Sequence, residues 1–448
     1  MSLYDQRPSV SRFGPSEREP LLILGETTFR RQHQRFGLLP SDRLRHLWVM
    51  GKTGAGKSTL LSNLIRQDLE RGEGLALLDP HGDLVESVVP FVPPHRRSEV
   101  LLFQPSDRAY PVSFNVFRHG RRRPEDQALL CAQLIAVFKK YWADSWGPRL
   151  EHILRNAILA VASDPRATLL FLYRFLTDER LRTSVTRNLT DPVVRQFWTH
   201  EFPGYGKKLQ SEAVAPVLNK LGAFVAIPIV RSIIGQERSR VDFVRVMNER
   251  GIVLANLSAG HIGEDASHLL GALLLTALQL AAMERNRGGA PCFVYVDEFQ
   301  HFVTDALATL LSESRKFGLG LILAHQYLAQ LTDSVRDAVL GNVGSMMVFR
   351  IGATDALLLE PEFSPPFSAY DLASLPRYHA ATKLTAAGEV LTPFSARTLP
   401  SLALPSDAVA IRALIRESSR QRFCRELRMV EAHLAQVMHQ PPQRPPNQ

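Results

Sequence analysis

From position 46 the chain alternates short apolar runs with longer segments in which apolar residues recur every three or four positions. HLWVM leads into a glycine-rich stretch, and STLLSNLIRQDLERG, GLALLD and EVLLFQP follow in that order. Strand, helix, strand in this sequence predicts a parallel sheet with helices on its faces. Between about 118 and 245 the strand pattern stops, and DQALLCAQLIAVFKKYW, RLEHILRNAILAVAS and QSEAVAPVLNKLGAFVA keep the helical period, which predicts an all-α insertion domain over 118–245. Strands resume with GIVLANL, CFVYVDE, LGLILAHQ and GSMMVFRI, so one α/β domain, 46–117 and 246–400, is interrupted once. The flanks read differently. Residues 1–45 are a polar, turn-rich lead-in expected to pack on the core, 401–440 form one basic helix, and 441–448, within PPQRPPNQ, are a disordered tail. HLLGALLLTALQLAAM, 268 to 283, is shorter than the roughly 20 residues a membrane crossing needs and contains Gln279, so it reads as a buried helix.

Composition narrows the class. At 448 residues, 45% hydrophobic and 22% charged, the chain has room for two or three packed domains of an ordinary soluble protein. A net charge of +9 favours a polyanionic partner, nucleic acid first. Cys131, Cys292 and Cys424 are too far apart in sequence to suggest a disulfide framework or a local zinc site, which fits a reducing cytosol. Charges interrupt the first twenty residues where a secretory signal would be apolar, so a cytoplasmic location is expected.

GKTGAGKS, residues 51 to 58, matches G-x-x-x-x-G-K-[ST] between a strand and a helix. Gly51 and Gly56, with Thr53 and Gly54 between them, let backbone N–H groups converge on phosphate oxygens. Lys57 would reach the β- and γ-phosphates, Ser58 would ligate Mg²⁺, and the helix from Thr59 turns its positive end to the nucleotide. An incidental glycine-rich turn is the alternative. CFVYVDEF supplies the acidic element: four apolar residues deliver Asp297 and Glu298 to the end of a buried strand, where open α/β sheets place their ligands. Asp297 would hold the Mg²⁺ shell and Glu298 would polarise the attacking water, rather than merely capping the next helix. Hydrolysis of ATP with Mg²⁺ is the expectation.

Two further positions, Arg315 and Gln326, depend on geometry. TDALATLLSESRKFG predicts a helix from about Thr304 to Lys316, about 18 to 20 Å long. If that helix runs back along the sheet, Arg315 lies a helix length from its own Glu298, suited to the γ-phosphate of a neighbouring subunit, or else to the helix dipole before Gly318. Gln326 ends LGLILAHQ as a γ-phosphate or water sensor, or as a plain strand-end hydrogen bonder. In LLDPHGDL, His81 and Asp83 are metal-ligand types, yet Pro80 and Gly82 also make a tight turn, and Asp79 is a candidate neighbour of the nucleotide.

These motifs, with WGPRLEHILRNAILA, APVLNKLGAF, SESRKFGLGLILAHQYL and GNVGSMMVFR, resemble the HerA/FtsK superfamily of DNA-translocating P-loop ATPases over about residues 25 to 380. Within it they are most similar to the TraD/TraG-like conjugative coupling proteins of type IV secretion. The resemblance implies a RecA-like fold, a hexameric ring that pumps DNA through its channel, Lys57 and Ser58 as Walker A residues, Asp297 and Glu298 as the Walker B pair, Arg315 as arginine finger and Gln326 as sensor. Membrane-bound coupling proteins carry N-terminal transmembrane helices that this sequence does not show, so a partner would recruit it to the inner face of the membrane, or it would process cytoplasmic DNA.

Contacts with DNA are sought in RHGRRR (118 to 123), GYGKK (204 to 208) and the arginines of the last helix, with Tyr205 and Trp198 as stacking surfaces; solvated charge is the alternative. Arg149, in WGPR, either enters a helix or contacts a neighbour's nucleotide. The reading is an ATP-driven DNA motor working with a relaxase, nuclease or secretion-system partner. A nucleotide-switched adaptor for secreted protein or nucleoprotein, and an end-processing motor paired with a nuclease, are the competing classes.

Overall fold

A computed structural model describes residues 21–28, 33–118, 124–143, 146–285, 288–304 and 307–439. Its strands are β1 Leu22–Thr27, β2 Arg35–Leu38, β3 Leu47–Met50, β4 Gly74–Asp79, β5 Val100–Phe103, β6 Ile252–Asn256, β7 Cys292–Val296, β8 Leu319–His325, β9 Ser345–Val348, β10 His379–Lys383, β11 Thr385–Ala386, β12 Glu389–Val390 and β13 Phe394–Arg397. Eleven of them form one sheet in the order β2-β1-β13-β10-β9-β3-β8-β7-β4-β6-β5, and β11 with β12 makes a small hairpin. The run from β9 to β5 is parallel throughout, while β10, β13, β1 and β2 pair antiparallel. The fold is thus α/β with a mostly parallel sheet.

Alternation along the strands divides the core. Trp48, Ala76, Val294 and Leu321 face one side, in an apolar cluster that continues through helix Glu264–Glu284 into the helices of the insertion. Val49, Leu77, Tyr295 and Ala324 face the other side and pack on helix Lys57–Arg71. The predicted burial of 268 to 283 is observed: this helix is long and apolar enough to cross a membrane, yet 89% of its most apolar window is inside the fold. Between β5 and β6 the described residues carry helices and no strand, among them Pro124–Tyr141, Pro148–Ala162 and Gly206–Ala226.

Three sequence expectations need correction. The lead-in, 1–45, is more than a packed segment: within its described part, β1 and β2 extend the sheet, because Leu22, Leu24 and Leu38 bury one face while the backbones pair. The basic helix expected over 401–440 is two helices, Ala408–Phe423 and Leu427–His439. Cys424 interrupts them because it is extended and bridges Val112. Of the helix expected from 304 to 316, the described residues are α-helical over Leu307–Glu313, about 10 Å, and tighten into a 3-10 turn over Ser314–Phe317. Buried Ser314, whose hydroxyl meets His46 Nε2 at 3.3 Å, fixes that turn, and Gly318 takes a left-handed conformation, φ +69°, that swings the chain into β8. The tail at 441–448 lies outside the described residues.

Candidate nucleotide-binding and catalytic site

Parallel register brings the chemistry to one edge. Met50 of β3 lies opposite His325 of β8 and Val348 of β9, and Leu78 lies opposite Val296. Gly51, Gln326, Asp297 and Asp79 therefore emerge side by side where the strands end. The loop after β3 has the shape its glycines permit. Gly54 has φ +74° and Gly56 φ +129°, conformations that side-chain-bearing residues rarely adopt, and a Cβ on Gly51 would stand 2.6 Å from that of Phe349. Lys57 and Ser58 open helix Lys57–Arg71. Lys57 is buried; its Nζ donates to the Gly51 carbonyl at 2.6 Å and lies 3.9 Å from Glu298 Oε1. Burial lowers its pKa, opposed by the charges of Glu298 and Asp297.

Glu298 is held in a conformation that is costly for it. Its φ of +44° is left-handed, of order 1–3 kcal/mol unfavourable for a non-glycine residue. Its carboxylate is fixed on both oxygens: Gln326 Nε2 donates to Oε1 at 3.0 Å and Gln300 Nε2 to Oε2 at 2.9 Å. Gln326 in turn accepts from the Thr53 hydroxyl at 3.1 Å, so the phosphate loop, the residue after β8 and the second residue after β7 share one hydrogen-bonded chain. Asp297 is buried, and burial, with Asp79 and Glu298 nearby, pushes its pKa up to about 7 against the pull of Lys57. An acid so desolvated and crowded by like charge suits a cation. Mg²⁺ is commonly bound by one or two protein groups plus phosphates and waters, which fits Asp297 with the exposed Ser58 hydroxyl.

Asp79 has another employment. Its carboxylate accepts from the N–H groups of His81 at 2.9 Å and Val85 at 3.0 Å, capping the start of helix Asp83–Val88. The LLDPHGDL turn is thus explained by its own hydrogen bonds, and a Cβ on Gly82 would strike the Asn256 side chain. Among the described residues no group of His, Cys, Asp and Glu is arranged to hold a metal by itself.

Arg315 sits elsewhere. It lies four residues before β8 begins, whereas Gln326 follows its end, and the seven residues of β8 span roughly 23 Å. Its side chain is exposed and has no ion pair among the described residues. The other candidates disperse. Trp198 is 4% exposed, packs against Phe175, Phe197 and Phe202 and donates to the Asn156 carbonyl, so it offers no face for base stacking. Tyr205 donates to Glu201 at 2.6 Å. Arg149 is exposed in the first turn of helix Pro148–Ala162. Of RHGRRR only Arg118 is described, and it is bonded to the Glu237 and Pro165 carbonyls. In the C-terminal helices Arg420 makes a two-pronged contact with Asp107, and Arg412 and Arg422 hold the Glu86 and Ser98 carbonyls.

Sequence reasoning missed the support behind Glu298. Lys140, near the end of helix Pro124–Tyr141, donates to the carbonyls of Gln300 at 2.5 Å and Val303 at 2.6 Å. The Tyr141 hydroxyl, with its single proton, lies between the carbonyls of His301 at 2.6 Å and His268 at 2.9 Å. The spacing Glu-x-Gln was the one visible signal for Gln300; no pattern could have tied it to residues 160 positions away.

A phosphate loop and a buried carboxylate pair at the carboxyl edge of a parallel sheet define a P-loop nucleotide-binding protein of RecA-like fold. Residues 32–356 match the family described as type IV secretion-system coupling protein DNA-binding domain, and the chain belongs to that family. The type 4 coupling protein DotL of Legionella pneumophila is 23% identical over 396 residues, covering 72% of this chain and 50% of that protein. The chain therefore spans half the length of the curated relative it matches. Among solved structures, the plasmid coupling protein TrwB in complex with ADP and Mg²⁺ superposes with a TM-score of 0.62 at 17% identity, covering 88% of this chain and 99% of that one. VirB4 of Thermoanaerobacter pseudethanolicus gives 0.57 at 14% identity, covering 86% and 97%. At these identities the likeness establishes the fold.

Proposed function

We propose that this chain is a Mg²⁺-dependent ATPase that moves DNA, or a nucleoprotein substrate, for a type IV secretion system. The observation that carries the reading is the hydrogen-bonded chain from Thr53 through Gln326 to Glu298, within ion-pair reach of Lys57. It is the arrangement hydrolysis needs: an oriented base beside a phosphate-binding lysine. A bound Mg²⁺–nucleotide would supply the transferable phosphoryl group with part of its charge neutralised. Gly51, Thr53, Gly54, Gly56 and Thr59 would cradle the phosphates, and Ser58 with Asp297 would hold the metal. Lys57 would offset negative charge on the transferred group, using the donors not spent on the Gly51 carbonyl. Glu298 would take a proton from the attacking water, and Gln326, linked to both the loop and that carboxylate, would register what the loop holds.

Arg315 fits a neighbour's site better than its own, being a strand length away from Glu298, exposed and without an ion pair among the described residues. Such a shared site calls for a closed assembly, proposed to be a hexameric ring. Family membership and the +9 charge support DNA as the partner. The test is steady-state ATP hydrolysis with and without single- and double-stranded DNA, with Glu298→Gln or Arg315→Ala protein mixed into wild type. Stimulation by DNA, and inhibition steeper than dilution, is the expected result. A rate indifferent to DNA that falls in proportion to dilution would replace the motor with a nucleotide-switched adaptor.

A further inference from the structure

The Walker B carboxylates and the lip of the phosphate loop lie on opposite sides of β3. In the sheet, β8 and β7 flank β3 on one side and β9 and β10 on the other. Asp297 and Glu298 follow β7, so a phosphate chain whose terminal group points at them and at Lys57 must leave its nucleoside toward β9 and β10. Two residues wait there. Arg377 and Tyr378 immediately precede β10, and both reach the phosphate loop: Arg377 Nε donates to the Gly54 carbonyl at 3.1 Å, and the Tyr378 N–H to the Ala55 carbonyl at 2.8 Å.

Tyr378 is an unusual residue for its position. Its φ is +66°, a conformation in which glycine or asparagine is the ordinary choice. The backbone is held in it by the bond to Ala55 and by the Thr398 N–H, which donates to the Tyr378 carbonyl at 2.9 Å. A glycine would meet the backbone requirement without strain, so the reason for a tyrosine must be its ring. That ring stands beside Gly56, where a Cβ would come within 3.0 Å of it, and the residue as a whole is 37% exposed. The Arg377 guanidinium lies over it, 4.6 Å from the centroid. An aromatic face and a planar cation, both solvent-accessible and both anchored to the loop that binds phosphates, make a surface for a flat ring.

We propose that Arg377 and Tyr378 form the stacking platform for the nucleotide base, resting on the phosphate-loop reading above and adding the base subsite to it. Stacking uses the π-face that every base presents, so the platform gains affinity from the nucleoside without distinguishing adenine from guanine.

Titration calorimetry in Mg²⁺ buffer with ATP, GTP and tripolyphosphate tests this on the full chain. Tyr378→Leu should weaken ATP and GTP alike by about ten-fold or more and leave tripolyphosphate within about two-fold. Tyr378→Phe should bind all three as wild type does, with an unchanged melting temperature. Fluorescence of 2-aminopurine riboside triphosphate should be quenched on binding to wild type and Tyr378→Phe, and less so on Tyr378→Leu. Loss of tripolyphosphate in parallel with ATP would overturn the platform, because Tyr378 would then only shape the loop. A wild type that binds tripolyphosphate as well as ATP would overturn it too, leaving the phosphate loop intact; binding of neither would overturn both readings.

Discussion

The two ends of strand β8 make opposite use of their polar residues. At the carboxyl end Gln326, Glu298, Thr53 and Lys57 are tied to one another, and the carboxylate of Glu298 is bonded on both oxygens. At the amino end Arg315 projects into solvent with no ion pair among the described residues. Fixing a side chain costs conformational entropy, and the first end offsets that cost internally through hydrogen bonds. The second end leaves its cation free for something outside the chain. One end is tied together within a single copy, and the other is the one the proposed shared site would bring beside a second.

Mutations at the two ends should separate them. Arg315→Ala should give the largest effect, lowering the ATPase rate of the assembled protein about 10³-fold. It should move the melting temperature of the isolated chain by no more than a degree or so, since the side chain is exposed and makes no ion pair among the described residues; a large loss of stability would mean that Arg315 is structural. Glu298→Gln should lower turnover about 10²-fold or more while preserving ATP affinity, measured by titration against single-turnover rates. Lys140→Met should reduce kcat about ten-fold with little change in KM, because it loosens the carbonyls of Gln300 and Val303 behind Glu298 without touching the loop. An unchanged kcat would show that the support is dispensable. The smallest effect is assigned to Arg420→Ala, which removes a partly exposed two-pronged pair with Asp107 and should cost about 1 kcal/mol of stability by thermal melting. DNA affinity should not change, and a fall in its salt dependence would return the C-terminal arginines to the list of DNA contacts.

The parts legible in the sequence were those in which a local pattern carries the physics. Apolar runs ending in Asp297 and Glu298, or in the phosphate loop, announce buried parallel strands because both faces of such strands are covered. What escaped were decisions taken over long distances. Cys424 interrupts a helical pattern because Val112, over 300 residues away, offers it a bridge. Trp198 looked available for stacking, but its fate depended on Phe175 and Phe202 arriving around it. The shortening of the helix before β8 turned on a serine that found His46. Arginines in the last helices read as free charge, since no periodicity reveals that Asp107 or a backbone carbonyl will meet them.

One boundary of the sheet governs how copies can meet. The outermost strand β5 is covered by helix Ala408–Phe423, and the Leu102 amide on that strand donates to the Ser419 hydroxyl at 2.9 Å. At the far border β2 is only four residues long and opens on exposed Arg35. An uncovered border of this size invites another chain to add its own strand and continue the ladder indefinitely, the route to fibrous aggregates. Here that route is obstructed at both margins, so copies gathered into the proposed ring would meet through side chains and not through a shared backbone ladder.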